Sequence, residues 1–179
     1  MDVEVSKYIP LIESSFKLNS NYFISNFRNI INNSKLRQNR NQFLSNSFFW
    51  KTAFDIPVNF ENTFSWWYSK SKNENQLAFI NNTLQNKFKI IFKPYKNWFF
   101  SVSSDYYLPS TNKKREQFFF LDTSVRYKSE NKRWEANLVI RNLTNEDNFE
   151  QVQTSDISTT IFRTNIIPMY FLLNLSWNF

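Results

Sequence analysis

The end of the chain, from residue 167 to residue 179, alternates between large apolar residues and a second set that is mostly polar. Strict alternation predicts a β-strand. The apolar set is larger than one face of a small soluble sheet usually needs, so the solvent that this face meets becomes the central question. It contains Ile167, Met169, Phe171, Leu173, Leu175, Trp177 and Phe179.

The same alternation recurs along the chain in segments of about ten residues or more, divided by turn-like clusters, as the strands of outer-membrane barrels require. We predict eight strands, at residues 11–27, 40–54, 58–69, 77–92, 97–108, 117–128, 133–142 and 162–179.

One face of each predicted strand is rich in aromatic residues, and we expect these faces to point outward into lipid. The opposite faces carry charges, which would suit a hydrated lumen: Lys87, Lys89, Asp105, Asp122, Arg126, Glu135 and Arg141. The outward sets of the first seven strands are Phe16, Leu18, Tyr22, Ile24; Leu44, Phe48, Trp50, Phe54; Phe60, Phe64, Trp66, Tyr68; Ile80, Leu84, Phe88, Ile90, Phe92; Trp98, Phe100, Val102, Tyr106; Phe119, Leu121, Val125, Tyr127; and Trp134, Ala136, Leu138, Ile140.

Composition excludes several classes of function. The chain has no cysteine, histidine or glycine. It therefore lacks disulfides, thiolate chemistry, the commonest metal ligand and general base, and any glycine-rich phosphate loop. No run approaches the roughly 18 apolar residues of a transmembrane helix. We expect no cofactor, no metal site and no enzymatic activity.

The net charge of +7 does not indicate a nucleic-acid partner. Single-strand binders concentrate basic residues in patches interleaved with aromatics. Here the basic residues are dispersed, and clusters such as "NKKRE" and "SENKRW" fall where turns are expected. We interpret them as hydrated turns and loops.

Connection lengths alternate between short and long, as in outer-membrane barrels with short periplasmic turns and longer outer loops. The short links are 55–57, 93–97 and 129–133, and the long ones are 28–39, 70–76, 109–116 and 143–161. Eight strands would then begin at the periplasmic side near "KYIP" and end there at Phe179.

Three stretches together resemble the C-terminal barrel of TonB-dependent receptors of the Bacteroidetes type. They are "SKYIPLIESSFKLNSNYFISNFRNIINNSKLR", "FFFLDTSVRYKSENKRWEANLVIRNLTNEDNF" and "SDISTT" followed by "IIPMYFLLNLSWNF". "RNLTN" is similar to the family's turn into a long outer loop. The end of the chain resembles the signal that the barrel-assembly machinery reads, formed here by Tyr170, Leu173, Leu175, Trp177 and Phe179.

The resemblance implies a location in the outer membrane and energy-dependent uptake of a siderophore, peptide or glycan, with TonB as a partner of the whole receptor. Such receptors have about 22 strands around a plugged lumen. The chain starts "MDVEVSKYIP", without a recognisable signal peptide or plug domain. We therefore expect one region, 1–179: an all-β, antiparallel, up-and-down segment of about eight transmembrane strands, left open, which does not transport by itself.

Three alternatives remain open. Eight strands can close on themselves into a small barrel with a structural or adhesive role. The same alternation fits a soluble β-sandwich that binds sugars through exposed aromatics. The weakest is a glycosidase-like enzyme that pairs two of the carboxylates Asp105, Asp122 and Glu135.

Ligand contacts are expected at the outer ends of the strands and on the longest loop, because loops on a rigid scaffold carry binding residues. The candidates are Tyr106, Tyr107, Asn142, Asn145, Glu146, Asp147, Asn148, Phe149 and Arg163.

Overall fold

A computed structural model describes residues 1–30, 36–73, 78–109, 117–131, 133–154 and 159–177. In these ranges the chain is all-β, as predicted, with one short 3-10 helix at Pro10–Ile12. The strands are β1 (Asp2–Ile9), β2 (Ser14–Asn29), β3 (Arg37–Thr52), β4 (Val58–Asn73), β5 (Phe79–Tyr95), β6 (Trp98–Leu108), β7 (Phe118–Lys128), β8 (Trp134–Arg141), β9 (Asn148–Thr154), β10 (Thr159–Asn165) and β11 (Tyr170–Trp177).

Nine of the strands form a single sheet in the order β1-β2-β3-β4-β5-β6-β7-β8-β11. Every neighbouring pair is antiparallel, so the chain runs up and down through the sheet. The remaining two strands, β9 and β10, form a separate hairpin. The large sheet is open, with β1 and β11 as its two outer strands.

The first strand of the sheet corrects the predicted count of eight. β1 precedes the 3-10 helix and pairs with β2 from Asp2↔Asn21 to Ile9↔Ser14. Its alternation is short, and Lys7 follows Val3 and Val5 on the apolar face, so the apolar signal is weak. Glu4 forms an ion pair with Lys17 of β2 at 2.8 Å, which places this charge on the polar side of the sheet.

The last predicted strand, 162–179, is two strands in the structure. Its first residues belong to β10, which pairs with β9 inside the predicted loop 143–161. Its final part is β11, which pairs with β8. Pro168 lies between them and has no backbone N–H to contribute to a ladder. Ile167 and Met169 therefore precede β11, and Phe179 is outside the described residues.

The register places the aromatic sets of neighbouring strands on one face. Phe48 of β3 opposes Phe64 of β4, and Leu138 of β8 opposes Leu173 of β11. Of the residues predicted to point outward in the first seven strands, only Phe54 falls outside a strand. We call this face the aromatic face and the opposite one the polar face.

The sheet is a single layer over most of its area. Phe118 is the one buried hydrophobic residue among those described. On the aromatic face Phe171, Leu173 and Leu175 are 62%, 64% and 72% exposed. The large apolar area of this face thus has no covering layer within the described chain.

The links at one end of the sheet have two to five residues, and three of the four links at the other end are longer, as predicted. The fourth, 74–78, has only five residues, because β4 continues through most of the predicted link 70–76 to Asn73. The short-link end carries residues 10–13, 53–57, 96–97 and 129–133. The long-link end carries 30–36, 74–78, 109–117 and the stretch 142–169 that contains the hairpin. Side chains replace glycine in the turns: the carboxamide oxygen of Asn59, for example, accepts hydrogen bonds from Phe54 N (2.7 Å) and Thr52 Oγ1 (2.9 Å).

Candidate functional site

Asn142 organises the link between β8 and β9. It is 5% exposed and has a left-handed backbone conformation, with φ at 55°. Its side-chain nitrogen donates to Glu146 O at 2.6 Å and to Ile167 O at 3.0 Å, and its side-chain oxygen accepts from Glu146 N at 3.0 Å. One amide therefore fixes the turn and ties it to the chain that enters β11.

Three further predicted contact residues complete this turn. The side-chain oxygen of Asn145 accepts from Met169 N at 3.2 Å, and the backbone carbonyl of Asp147 accepts from Ile166 N at 2.8 Å. The carboxylate of Glu146 accepts from Phe119 N of β7 at 3.4 Å. Asn142, Asn145, Glu146 and Asp147 are thus used to hold the link in place.

The turn sets the position of Phe149 over the polar face. Its ring lies 5.1 Å from Phe118 and 5.3 Å from Tyr107, centroid to centroid, and 6.4 Å from Phe120. An aromatic cluster therefore forms where the hairpin meets β6 and β7. Two predicted contact residues, Tyr107 and Phe149, come together in it.

Beside this cluster is a cavity of about 460 Å³, which we call the aromatic cavity. It combines aromatic walls with amide, hydroxyl and carboxylate groups, a mixture that can stack on a ligand and hydrogen-bond it. Its lining residues are Trp67, Thr83, Gln85, Asp105, Tyr107, Phe120, Phe149 and Gln151.

Asp105 is the charged group of the cavity. Gln85 Nε2 donates to both of its carboxylate oxygens, at 2.9 and 3.0 Å, and Lys87 lies 3.8 Å away. The side chain of Asp105 is 32% exposed, so the carboxylate is held in position and remains accessible. It can accept hydrogen bonds from hydroxyl or amino groups of a ligand.

The other predicted contact residues lie elsewhere. Tyr106 is on the aromatic face, because successive residues of a strand point to opposite sides, and its hydroxyl donates to Gln117 at 3.0 Å. Asn148 donates to the Asp147 carboxylate at 2.7 Å. Arg163 pairs with Glu150 at 2.6 Å within the hairpin.

Sequence reasoning did not select Trp67, Gln85 or Phe120 for the cavity. The alternation contained the signal for Trp67, which lies between the outward residues Trp66 and Tyr68 and so points to the polar face. The alternation does not predict that Phe149 lies at the cavity, because its position depends on the β9–β10 hairpin.

The residues predicted as a barrel-assembly signal lie on the outer strand of the sheet. Leu173, Leu175 and Trp177 are on the aromatic face of β11, and Tyr170 opposes Arg141 on the polar face. Phe179 lies outside the described residues.

No three acidic side chains of the described ranges converge to form a metal site. Among the helical residues of the described chain, none belong to a helix long and apolar enough to cross a membrane. No protein family, curated protein or solved structure matches the chain.

Proposed function

We propose that the chain forms part of the wall of an outer-membrane β-barrel, in a TonB-dependent receptor that takes up a siderophore, peptide or glycan. The observation that carries this proposal is the distribution of carboxylates in the nine-stranded sheet. All six lie on the polar face and none on the aromatic face: Asp2, Glu4, Glu61, Asp105, Asp122 and Glu135.

This segregation suits a wall between lipid and a hydrated lumen, since a charge on the lipid face of a barrel strand is destabilising near the midplane. The polar face pairs its charges across strands, as in Lys51–Glu61 at 2.8 Å. On the aromatic face, the side-chain amides of Asn62 and Asn86 pair with each other through two hydrogen bonds of 3.3 Å. Such pairing is needed where no water is available.

Tryptophan and tyrosine form two belts on the aromatic face, as they do at the two interfaces of a bilayer. Trp98, Tyr127 and Trp134 are in contact at the short-link end, with centroid distances of 4.8 and 5.1 Å. At the long-link end the belt contains Tyr22, Trp66, Tyr68 and Tyr106.

The separation of the belts matches a bilayer. Trp98 and Tyr106 are eight residues apart on β6, which is roughly 26 Å of strand at about 3.3 Å per residue. With the tilt of barrel strands, roughly 40°, this projects to about 20 Å, close to the apolar band of about 25 Å in outer-membrane barrels.

The soluble sandwich is less well supported. A sandwich buries its aromatic stripes between two sheets. The hairpin of β9 and β10 contacts the polar face through Phe149. The aromatic face of the described chain therefore has no second sheet against it, and lipid is the cover that its composition suits.

Uptake is proposed from the aromatic cavity and from the resemblance of the sequence to the receptor family. The cavity lies on the polar face towards the long-link end, where outer loops of a receptor meet a ligand. Its stacking surfaces, Gln85 and Asp105 would contact the ligand.

Labels on adjacent residues of one strand test the membrane proposal. Because the chain has no native cysteine, Leu138→Cys and Asn137→Cys can each carry a single fluorophore in lipid vesicles. We expect quenchers on the acyl chains to act on position 138 and aqueous iodide to act on position 137. Equal iodide quenching at both positions, with a chain that stays monomeric without lipid, would contradict the proposal.

A further inference from the structure

The charged residues on the aromatic face of the nine-stranded sheet are all basic. Lys7 is near the short-link end of β1. The others lie together at the long-link end of β2, β3 and β4, and we call them the basic cluster: Arg28, Arg40, Lys70 and Lys72.

The basic cluster lies just beyond the aromatic belt. Lys70 and Lys72 follow Tyr68 by two and four residues on β4, which is roughly 7 and 13 Å at about 3.3 Å per residue. Arg40 precedes Leu44 by four residues on β3. If the belt marks the edge of the hydrocarbon, these side chains lie at the depth of the lipid headgroups.

The cluster is not neutralised by the described chain. Arg40 and Lys72 are direct cross-strand partners, an arrangement of like charges that destabilises a sheet. The ion pairs of the described residues are all on the polar face or in the hairpin, and none includes a member of the cluster. An anion bound between them would remove the repulsion.

A cavity of about 430 Å³ at the same place provides a second observation. Arg28, Arg40 and Lys72 line it together with Asn26 and Gln38, which the register places on the aromatic face as well. Guanidinium, ammonium and amide groups can all donate hydrogen bonds to an anion held in this cavity.

We propose that the basic cluster binds the phosphate group of an anionic membrane lipid. This rests on the proposed function, because the cluster reaches headgroup depth only if the aromatic face meets lipid. Guanidinium groups bind phosphate oxygens through paired N–H donors, and the lysines add positive charge. Acyl chains of the same lipid would extend over Ile24 and Leu44, which lie on the same face towards the middle of the sheet. That apolar continuation favours a lipid over a free phosphate ion.

The test uses the 179-residue chain in vesicles at low salt and measures quenching of its tryptophans by brominated phosphatidylglycerol or brominated phosphatidylcholine. Wild-type protein should prefer phosphatidylglycerol. Arg40→Gln together with Lys72→Gln should lower this preference by about fivefold to 30-fold, since each cation near an anionic surface contributes about 1 kcal/mol. The matched control is Lys17→Gln with Lys51→Gln, which removes the same charge from β2 and β3 on the polar face and should keep the preference.

The other possible results distinguish failure of the lipid site from failure of the membrane proposal. Equal quenching by the two lipids in the wild type overturns the lipid site and leaves the membrane proposal standing. An equal loss of preference in both double variants would show that the preference depends only on net charge, and this result also overturns the lipid site. Competition by millimolar inorganic phosphate would assign the cluster to free phosphate instead. Absence of quenching by either lipid overturns the membrane proposal, and the lipid site with it.

Discussion

The backbone N–H of Asn142 donates a 2.8 Å hydrogen bond to one carboxylate oxygen of Asp122. Asp122 lies on β7, which β8 separates from β11 in the sheet. The other oxygen of Asp122 accepts from Arg141 at 2.5 Å. Asp122 therefore anchors the start of the β8–β9 link to β7. Because Asn142 then fixes Glu146 and Ile167, this relationship determines where the hairpin, and with it Phe149, meets the polar face.

Replacing Asn142 should loosen the whole link. Asn142→Ala removes four side-chain hydrogen bonds at a buried site. It also places in the left-handed region a residue that has a β-carbon and no side-chain hydrogen bond to offset the strain. We expect a loss of about 2 to 4 kcal/mol in the free energy of unfolding, measured by denaturant titration in detergent. Asn142→Gly relieves only the backbone component and should recover about 1 kcal/mol. If both variants match the wild type, the amide is not the organising group.

The fold followed from the sequence where alternation was long and strongly apolar. Strands β2 to β8 were all predicted, and their aromatic residues share a face, because a period of two places every second side chain on the same side. β1 was missed because its apolar face holds only Val3 and Val5 before Lys7 interrupts it. The hairpin was missed because its pairing partners are held by the Asn142 turn, a tertiary feature that periodicity does not contain.

The candidate site was predictable only in part for the same reason. Tyr107 and Phe149 were selected from their place near the long links, and the structure brings their rings to 5.3 Å. Tyr106 was also predicted to contact the ligand, although the alternation of side chains along β6 places it on the aromatic face, opposite Tyr107. Asn142 was selected as a contact residue, whereas its buried hydrogen bonds show a role in holding the turn. An asparagine in a loop gives no sign in sequence of which role it has.

Substitutions at two adjacent residues of β11 should have different effects on stability in lipid. Leu173 opposes Leu138 in the middle of the aromatic face, and Asn174 opposes Asn137 on the polar face. Leu173→Arg should cost about 2 to 4 kcal/mol near the bilayer midplane. Asn174→Arg should be tolerated. Unfolding of both variants from vesicles by guanidinium would measure this, and equal damage would show that the faces are wrongly assigned.

Truncating Phe149 should impair ligand binding through the aromatic cavity. We expect Phe149→Ala to weaken binding by about tenfold, the equivalent of an aromatic contact of about 1.4 kcal/mol. A panel of ferric siderophores, short peptides and oligosaccharides, titrated against tryptophan emission, provides the measurement. Tyr106→Phe is the control, since it removes a hydroxyl on the opposite face. Weakening of the same size in the control would argue against the cavity as the binding site.

The number of strands decides how the sheet could close. In a sheet of nine strands with antiparallel neighbours, the first and last run in the same direction. Direct closure of β1 on β11 would therefore need a parallel pair, whereas bacterial single-chain barrels have an even number of antiparallel strands. An eight-stranded barrel of β2 to β8 and β11 could form only if β2 separated from β1 and paired with β11 instead. Both outer strands therefore favour pairing with further strands over closure.

Engineered cysteines can distinguish these outcomes in the otherwise cysteine-free chain. Val5→Cys with Leu18→Cys joins direct cross-strand partners of β1 and β2 and should oxidise efficiently in detergent. Leu18→Cys combined with cysteine at Leu173 or Leu175 of β11 should not form an intramolecular disulfide, because a disulfide needs Cα atoms within about 7 Å. The unpaired backbone edge of β11 should instead give crosslinks between chains. Efficient, register-specific disulfides within one chain between β2 and β11, with loss of the Val5–Leu18 bridge, would establish a self-contained eight-stranded barrel in place of an open part of a larger one.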